Sequence, residues 1–172
     1  HISAAAGAFT WMVAEWKRYG KPSVLGAVTG MVAGLGTITP ASGYVGPAGG
    51  LVIGIAAGFV CFVATSYIKR TLKIDDSLDV FPVHGVGGIL GTLLTGIFAS
   101  NSLGVFSGQH DISIASQFGI QAIGVAVAIV YTGAITFGIL KLTDAMVGNR
   151  IDEDEEQEGL DLVSHNERGY DM

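Results

Sequence analysis

His84 lies in the segment Asp79-Val80-Phe81-Pro82-Val83-His84-Gly85-Val86-Gly87-Gly88. It is about eleven residues past Lys73 and about sixteen before the polar stretch that opens at Ser100. At about 1.5 Å per helical residue, this spacing predicts an imidazole well inside an apolar span. Imidazole donates and accepts hydrogen bonds and takes up a proton near neutral pH. There it could bind a small polar solute or relay a proton along an otherwise apolar passage. The alternative is a core histidine tied to a backbone carbonyl. Ionisable groups inside a membrane usually face protein or an aqueous path, so the position favours function. The flanking glycines leave room around the ring.

Few other residues suggest chemistry. Asp79, before Val80-Phe81-Pro82, has the pattern of a helix cap followed by proline in the first turn; a proton relay is the weaker reading. Thr39 precedes Pro40 within an apolar run; the proline frees a backbone carbonyl and bends or ends the helix, and the Thr39 hydroxyl could satisfy a nearby backbone group or face a pore. Glu15 sits among Trp11, Trp16 and Tyr19 beside a basic turn, as in an interfacial belt with local pairing. His110 and Asp111 are too few for a metal site. Cys61, the single cysteine, excludes a disulfide scaffold. No nucleophilic triad, phosphate loop or metal-ligand cluster is present in the pattern, and no cofactor, metal or enzymatic activity is expected.

The elements that must carry these residues are membrane spans. Of the 172 residues, 49% are hydrophobic and 14% charged, against about 25% charged in soluble domains. Intrinsic disorder is excluded by this balance. The net charge of −6 and the lack of a basic patch argue against nucleic-acid binding. The fold class expected is an all-α membrane protein, a multi-span helical bundle. A partial first helix is expected over about 1–16, with spans at about 23–44, 48–68, 80–99 and 112–140. The start without Met reads as the C-terminal portion of a larger protein. Residues 147–172 hold nine acids and two bases and read as an acidic tail, whereas residues 1–146 hold six acids and seven bases. Such a run is usually solvated, but Gly159-Leu160-Asp161 and Ser164-His165-Asn166-Glu167 could dock a cytosolic partner.

Two patterns refine this picture. All nine Lys and Arg fall after the first, third and fifth segments, whereas the turns at 43–47 and 100–111 carry none. The positive-inside rule then places the basic turns and the tail in the cytoplasm. Glycines recur every fourth residue at 26, 30 and 34, at 50, 54 and 58, and at 87 and 91. Residues four apart share a helix face, and small residues there allow helices to approach closely within lipid.

The segment around His84 closely resembles the D-x-F-x-x-H-x-x-G segment of the ammonium transporter family, which includes methylammonium permeases and Rhesus glycoproteins. Gly20-Lys21-Pro22-Ser23 and Thr39-Pro40-Ala41-Ser42-Gly43-Tyr44-Val45 resemble its eighth-helix region. Glu158-Gly159-Leu160-Asp161, Ser164-His165 and Tyr170 resemble its bacterial and plant tail. The resemblance implies the C-terminal part of an eleven-helix homotrimer in the cytoplasmic (inner) membrane. It also implies a pore conducting ammonia after ammonium is deprotonated at the entrance. His84 would be the second of two paired pore histidines, Thr39 and Val80 would line the passage, and Asp79 would cap the tenth helix. Gly159, Leu160, Asp161, His165 and Tyr170 would form a regulatory tail that docks a P-II-type nitrogen-regulatory protein. Two rivals within the family are an ammonium sensor signalling through its tail and a Rhesus-like ammonia or carbon dioxide channel. The acidic tail argues against the second.

Overall fold

The computed structural model describes residues 1–100, 103–104 and 113–169 and, among these, contains helices and no strands. The helices are α1 (Ile2–Tyr19), α2 (Val24–Ile38), α3 (Pro47–Arg70), α4 (Gly87–Phe98), α5 (Ile114–Val147), α6 (Glu153–Glu158) and α7 (Leu160–His165). A 3-10 turn, Thr39–Ala41, extends α2, and a π turn, Phe81–Val86, leads into α4. Four helical stretches are long and apolar enough to cross a membrane by length and composition: Val24–Ala41, Pro47–Arg70, Phe81–Phe98 and Ile114–Val147. The chain divides into two units, His1–Ala126 and Val127–Met172, with the boundary inside α5.

Local chemistry sets the helix ends. Gly20, at φ 81°, closes α1 by donating its N–H to the Trp16 carbonyl at 2.9 Å. A left-handed residue at a helix end favours glycine, and Lys17 and Arg18 in the last turn complement the negative end of the helix dipole. Ser23 starts α2 in an extended conformation, its Oγ accepting from the Gly26 N–H at 2.8 Å. Pro47 occupies the first turn of α3, where a missing N–H leaves no gap.

In the first unit, α1 packs against both α2 and α3 through backbone. A side chain on Gly30 would meet Trp11 Cβ and the Gly7 carbonyl. One on Gly34 would meet the Ser3 carbonyl and Ala4 Cα, and one on Gly26 the Glu15 carboxyl. On α3, Gly54 faces Ser3 and Ala6, and Gly58 faces Gly7 and Thr10. Ser3 Oγ donates to the Gly34 carbonyl at 2.8 Å, locking α1 to α2. Gly91 lies on the Thr37 carbonyl, and Gly87 lies near Thr37 Oγ1 and Cys61 Sγ. Seven of the eight four-spaced glycines are therefore close-approach positions. Gly50 is the exception, with nothing within 4 Å of where a Cβ would stand. The core of this unit gathers Trp11, Ala33, Cys61, Phe62 and Val83, with the Trp11 and Phe62 rings edge to face at 5.5 Å, a preferred aromatic geometry.

The second unit begins within α5 and carries the acidic segment. Gly148, at φ 77°, ends α5 by bonding the Asp144 carbonyl at 3.1 Å, and Asn149 Nδ2 reaches back to the Leu140 carbonyl at 2.7 Å. The helix thus runs past Lys141 and Asp144, where the apolar run gives out, to the first residue able to reverse the backbone. Gly159 turns the chain between α6 and α7 at φ 104°, a conformation open essentially to glycine alone.

Replacing Gly30 with Ala should destabilise the bundle by about 1–3 kcal/mol, because Trp11 and Gly7 cannot withdraw without moving α1. Thermal unfolding in detergent should show a lower midpoint for Gly30→Ala. Gly124→Ala, where nothing lies within 4 Å, should leave it unchanged or raise it. Equal midpoints for Gly30→Ala and the unsubstituted protein would overturn the close-approach assignment.

Candidate functional site

The segment before His84 is built by an accounting of backbone N–H groups. The first N–H groups of a helix have no intrahelical acceptor and need another. Val80 N–H donates to Asp76 Oδ1 and Phe81 N–H to Asp76 Oδ2, both at 2.8 Å. Pro82 has no N–H to satisfy, and Val83 N–H donates to the Asp79 carbonyl at 3.0 Å. One carboxylate and one proline thus account for the whole first turn.

This corrects the expected role of Asp79. Its carbonyl accepts from the Val83 N–H at 3.0 Å, but the side chain that caps the helix start is that of Asp76. Asp79 adopts φ 57°, a left-handed conformation that Asp tolerates better than most residues. From there its carboxylate pairs with Lys69 Nζ at 2.7 Å, tying the segment to the end of α3. The loop geometry aims Asp79 away from the helix it precedes and Asp76 onto it.

His84 is on the π turn, with Pro82 and Val83 buried behind it and its own side chain exposed. Among the described residues its imidazole has no hydrogen-bond or ion-pair partner. π turns interrupt α-helices frequently at functional sites. Val80 is 53% exposed. Thr39 is also exposed and donates its hydroxyl to the Leu35 carbonyl at 2.7 Å, which answers the local half of its open reading. The three residues expected along a passage thus lie on outer surfaces of the first unit, and these residues by themselves enclose none of them.

In the second unit the Gly159 carbonyl accepts from the N–H groups of Leu162 and Val163, at 3.1 and 3.0 Å. Leu160, Asp161 and His165 lie exposed on the short helix that follows. Tyr170 lies outside the described residues, as do His110 and Asp111. Among the described residues no three His, Cys, Asp or Glu side chains are grouped to hold a metal ion.

Two features escaped sequence reasoning. Glu15 does not pair with the neighbouring bases. It accepts from Ser23 N–H at 2.8 Å, from the Ser23 hydroxyl at 3.1 Å and from Trp11 Nε1 at 3.3 Å, joining the end of α1 to the start of α2. The eight-residue separation of Glu15 and Ser23 across a tight turn was the available signal. The second feature is a cavity of about 280 Å³ walled by Pro40, Tyr44, Thr95, Ala99, Gln117 and Gln121. Its walls come from distant parts of the chain, so no local pattern announces it.

Residues 1–170 match the family model described as Ammonium Transporter Family. This chain belongs to that family. It is 42% identical to ammonium transporter Amt1 of Archaeoglobus fulgidus, across 99% of this chain and 43% of that protein. It is similar in structure to Mep2 of Saccharomyces cerevisiae, with a TM-score of 0.78 and 36% identity over 90% of this chain and 36% of that one. A chain described as a "Sensor Amt Protein" is similar with a TM-score of 0.80 and 29% identity, over 95% of this chain and 40% of its own. The chain spans about 42% of the length of the first curated relatives it matches.

Substituting Asp76 by Ala removes both acceptors of the first turn and should destabilise the protein by about 0.5–2 kcal/mol. Asp75, which among the described residues accepts from the Ser77 hydroxyl alone, should tolerate Ala within about 0.5 kcal/mol. Thermal unfolding of the two variants side by side tests the assignment, and equal midpoints would remove Asp76 from its capping role.

Proposed function

We propose that this chain forms part of an ammonium transporter of the cytoplasmic membrane, and that His84 lines its conduction path. The observation that carries the proposal is the position of His84 in a chain of this family: an exposed imidazole, without a partner among the described residues, on a helical stretch apolar enough to cross a membrane. An ionisable side chain facing hydrocarbon is costly and rare. The ring therefore needs a polar or protein-lined space, and its other wall would come from the part of the relatives' length that this chain does not span. A second pore histidine would stand there.

In this reading ammonium is gathered outside and loses its proton at the pore entrance, because carrying the charge through a narrow dry passage is prohibitive. Neutral ammonia then crosses, hydrogen-bonded by His84 and its partner, with Val80 and Thr39 along the wall. Potassium is rejected because it has no proton to release. The assembly is a homotrimer. The basic turns after α1 and α3 face the cytoplasm, as does the segment beyond α5. Gly159, Leu160, Asp161, His165 and Tyr170 form the surface that a P-II-type regulatory protein docks on.

The likeness to a chain described as a sensor supports a second reading, signalling of ammonium status through the tail. Deletion of residues 148–172 separates the two: a transporter continues to move ammonium, whereas a sensor loses its output.

The decisive substitution is His84→Ala in the protein reconstituted in liposomes or expressed in oocytes. Ammonium-driven current should fall at least about tenfold, equivalent to about 1.4 kcal/mol in a barrier, or selectivity against potassium should be lost. Unchanged current with full selectivity would refute the role of His84.

A further inference from the structure

α3 holds the His84 segment at two places. Lys69, in its last turn, pairs with Asp79 at 2.7 Å. Cys61 lies against Gly87, where an added Cβ would stand 3.3 Å from its Sγ. Cys61 and Lys69 are eight residues apart, and so are Asp79 and Gly87; on α3 that is about 12 Å at about 1.5 Å per residue. The two segments therefore run antiparallel with their contacts in step, and His84 falls between the two points of attachment.

The contacts differ in kind. At Gly87 the helices simply touch. At Asp79 an ion pair acts on a residue in an unfavourable backbone conformation. Asp79 is left-handed at φ 57°, which strains residues that carry a Cβ, Asp less than most. Its side chain is 16% exposed, and its buried Oδ1 has Lys69 Nζ beside it and no other donor among the described residues. Removing one partner of a sheltered ion pair leaves an uncompensated charge. Without Lys69 the carboxylate would reach water by turning the Asp79 backbone out of the left-handed region.

That backbone carries the start of the π turn. Asp79 N–H donates to the Asp76 carbonyl at 3.2 Å, and the Asp79 carbonyl accepts from Val83 N–H at 3.0 Å. The same bend brings the Asp76 carboxylate over the N–H groups of Val80 and Phe81. A π turn closes on the fifth residue rather than the fourth, so its register depends on where its first turn is anchored. A slip of one residue rotates a helical side chain by about 100°, enough to take His84 off the face it occupies.

We propose that Lys69 is a positioning residue for His84. By neutralising Asp79 it keeps the left-handed bend closed and holds the π turn in the register that leaves the imidazole exposed. The placement of the ring does not depend on the reading of His84 as a conduction residue; the effect on transport does.

The test uses the purified protein with isotope-labelled histidine. The NMR signals of the His84 ring, identified by their loss in His84→Gln, report placement, and ammonium transport in liposomes reports function. Lys69→Met should displace the His84 signals and lower the maximal transport rate at least about tenfold, with KM changed less than about twofold. Lys69→Arg, which keeps the charge, should restore both. Lys69→Met/Asp79→Asn should also restore both, because Asn tolerates the left-handed conformation and strands no charge. Lys21→Met, which removes a charge from the turn before α2, should change neither. Unmoved His84 signals in Lys69→Met, equal displacement in Lys21→Met, or a double variant no better than the single one would each overturn the proposal. If Lys69→Met does not fold, a folded double variant with native His84 signals supports it, and failure of both variants to fold overturns it. Displaced signals with unchanged transport would uphold the positioning by Lys69 and count against His84 as a conduction residue.

Discussion

The architecture depends on how near α1 can come to α2 and α3. Lipid offers little hydrophobic drive for helices to associate, so close packing and interhelical hydrogen bonds must hold them together. Here packing reaches the backbone itself: Gly7 lies against Gly30 and Gly34 on one side and Gly58 on the other. Ser3 serves both neighbours as well, its hydroxyl bonding the Gly34 carbonyl and its backbone lying against Gly54. Such contacts tolerate almost no added volume, and α1 therefore sets the spacing of α2 and α3. That spacing in turn positions Thr37 and Cys61, which bear on Gly87 and Gly91 and so fix the helix carrying His84. A chain of contacts connects the first turn of α1 with the candidate pore residue, although the two never touch.

Much of this was legible in residue spacing. Glycines four apart mark a helix face, and seven of eight do meet a neighbour. Gly50 does not, because spacing defines a face but not what stands opposite each residue on it. Residue type alone could not separate Asp76 from Asp79. Both acids lie within reach of the helix start, and the choice depends on Asp79 turning left-handed. The π turn had no signal beyond Pro82. The end of α5 was obscured for a different reason, since hydropathy falls at Lys141 whereas the backbone continues to the first glycine that can cap it. For Glu15 the sequence indicates local pairing beside the basic turn without naming the partner; the turn brings it two donors from Ser23, and hydrogen bonds within reach prevail over exposed charges nearby.

The exposure of His84 is the observation that most constrains function. An imidazole buried and bonded to a carbonyl would have marked a structural residue. An imidazole exposed on a polar loop would have had water around it. His84 is neither: it is open, without a partner among the described residues, and on a stretch whose composition suits hydrocarbon. Such a placement is stable only if something outside these residues supplies a polar surface.

The same asymmetry explains how the residue can be both exposed and well placed. Behind the ring everything is set. The Asp76 carboxylate holds the first turn, Pro82 and Val83 are buried, the Phe81 ring lies against Gly85, and Thr37 is wedged against Gly87 and Gly91. In front of it none of the described residues competes for the two ring nitrogens. The proposed role, in which His84 exchanges hydrogen bonds with a passing solute, requires contacts that hold the ring and leave those nitrogens free, and a set back with an open front is compatible with both demands. The close helix packing and the helix cap thus converge on the segment that carries His84, at a surface that these residues do not themselves complete.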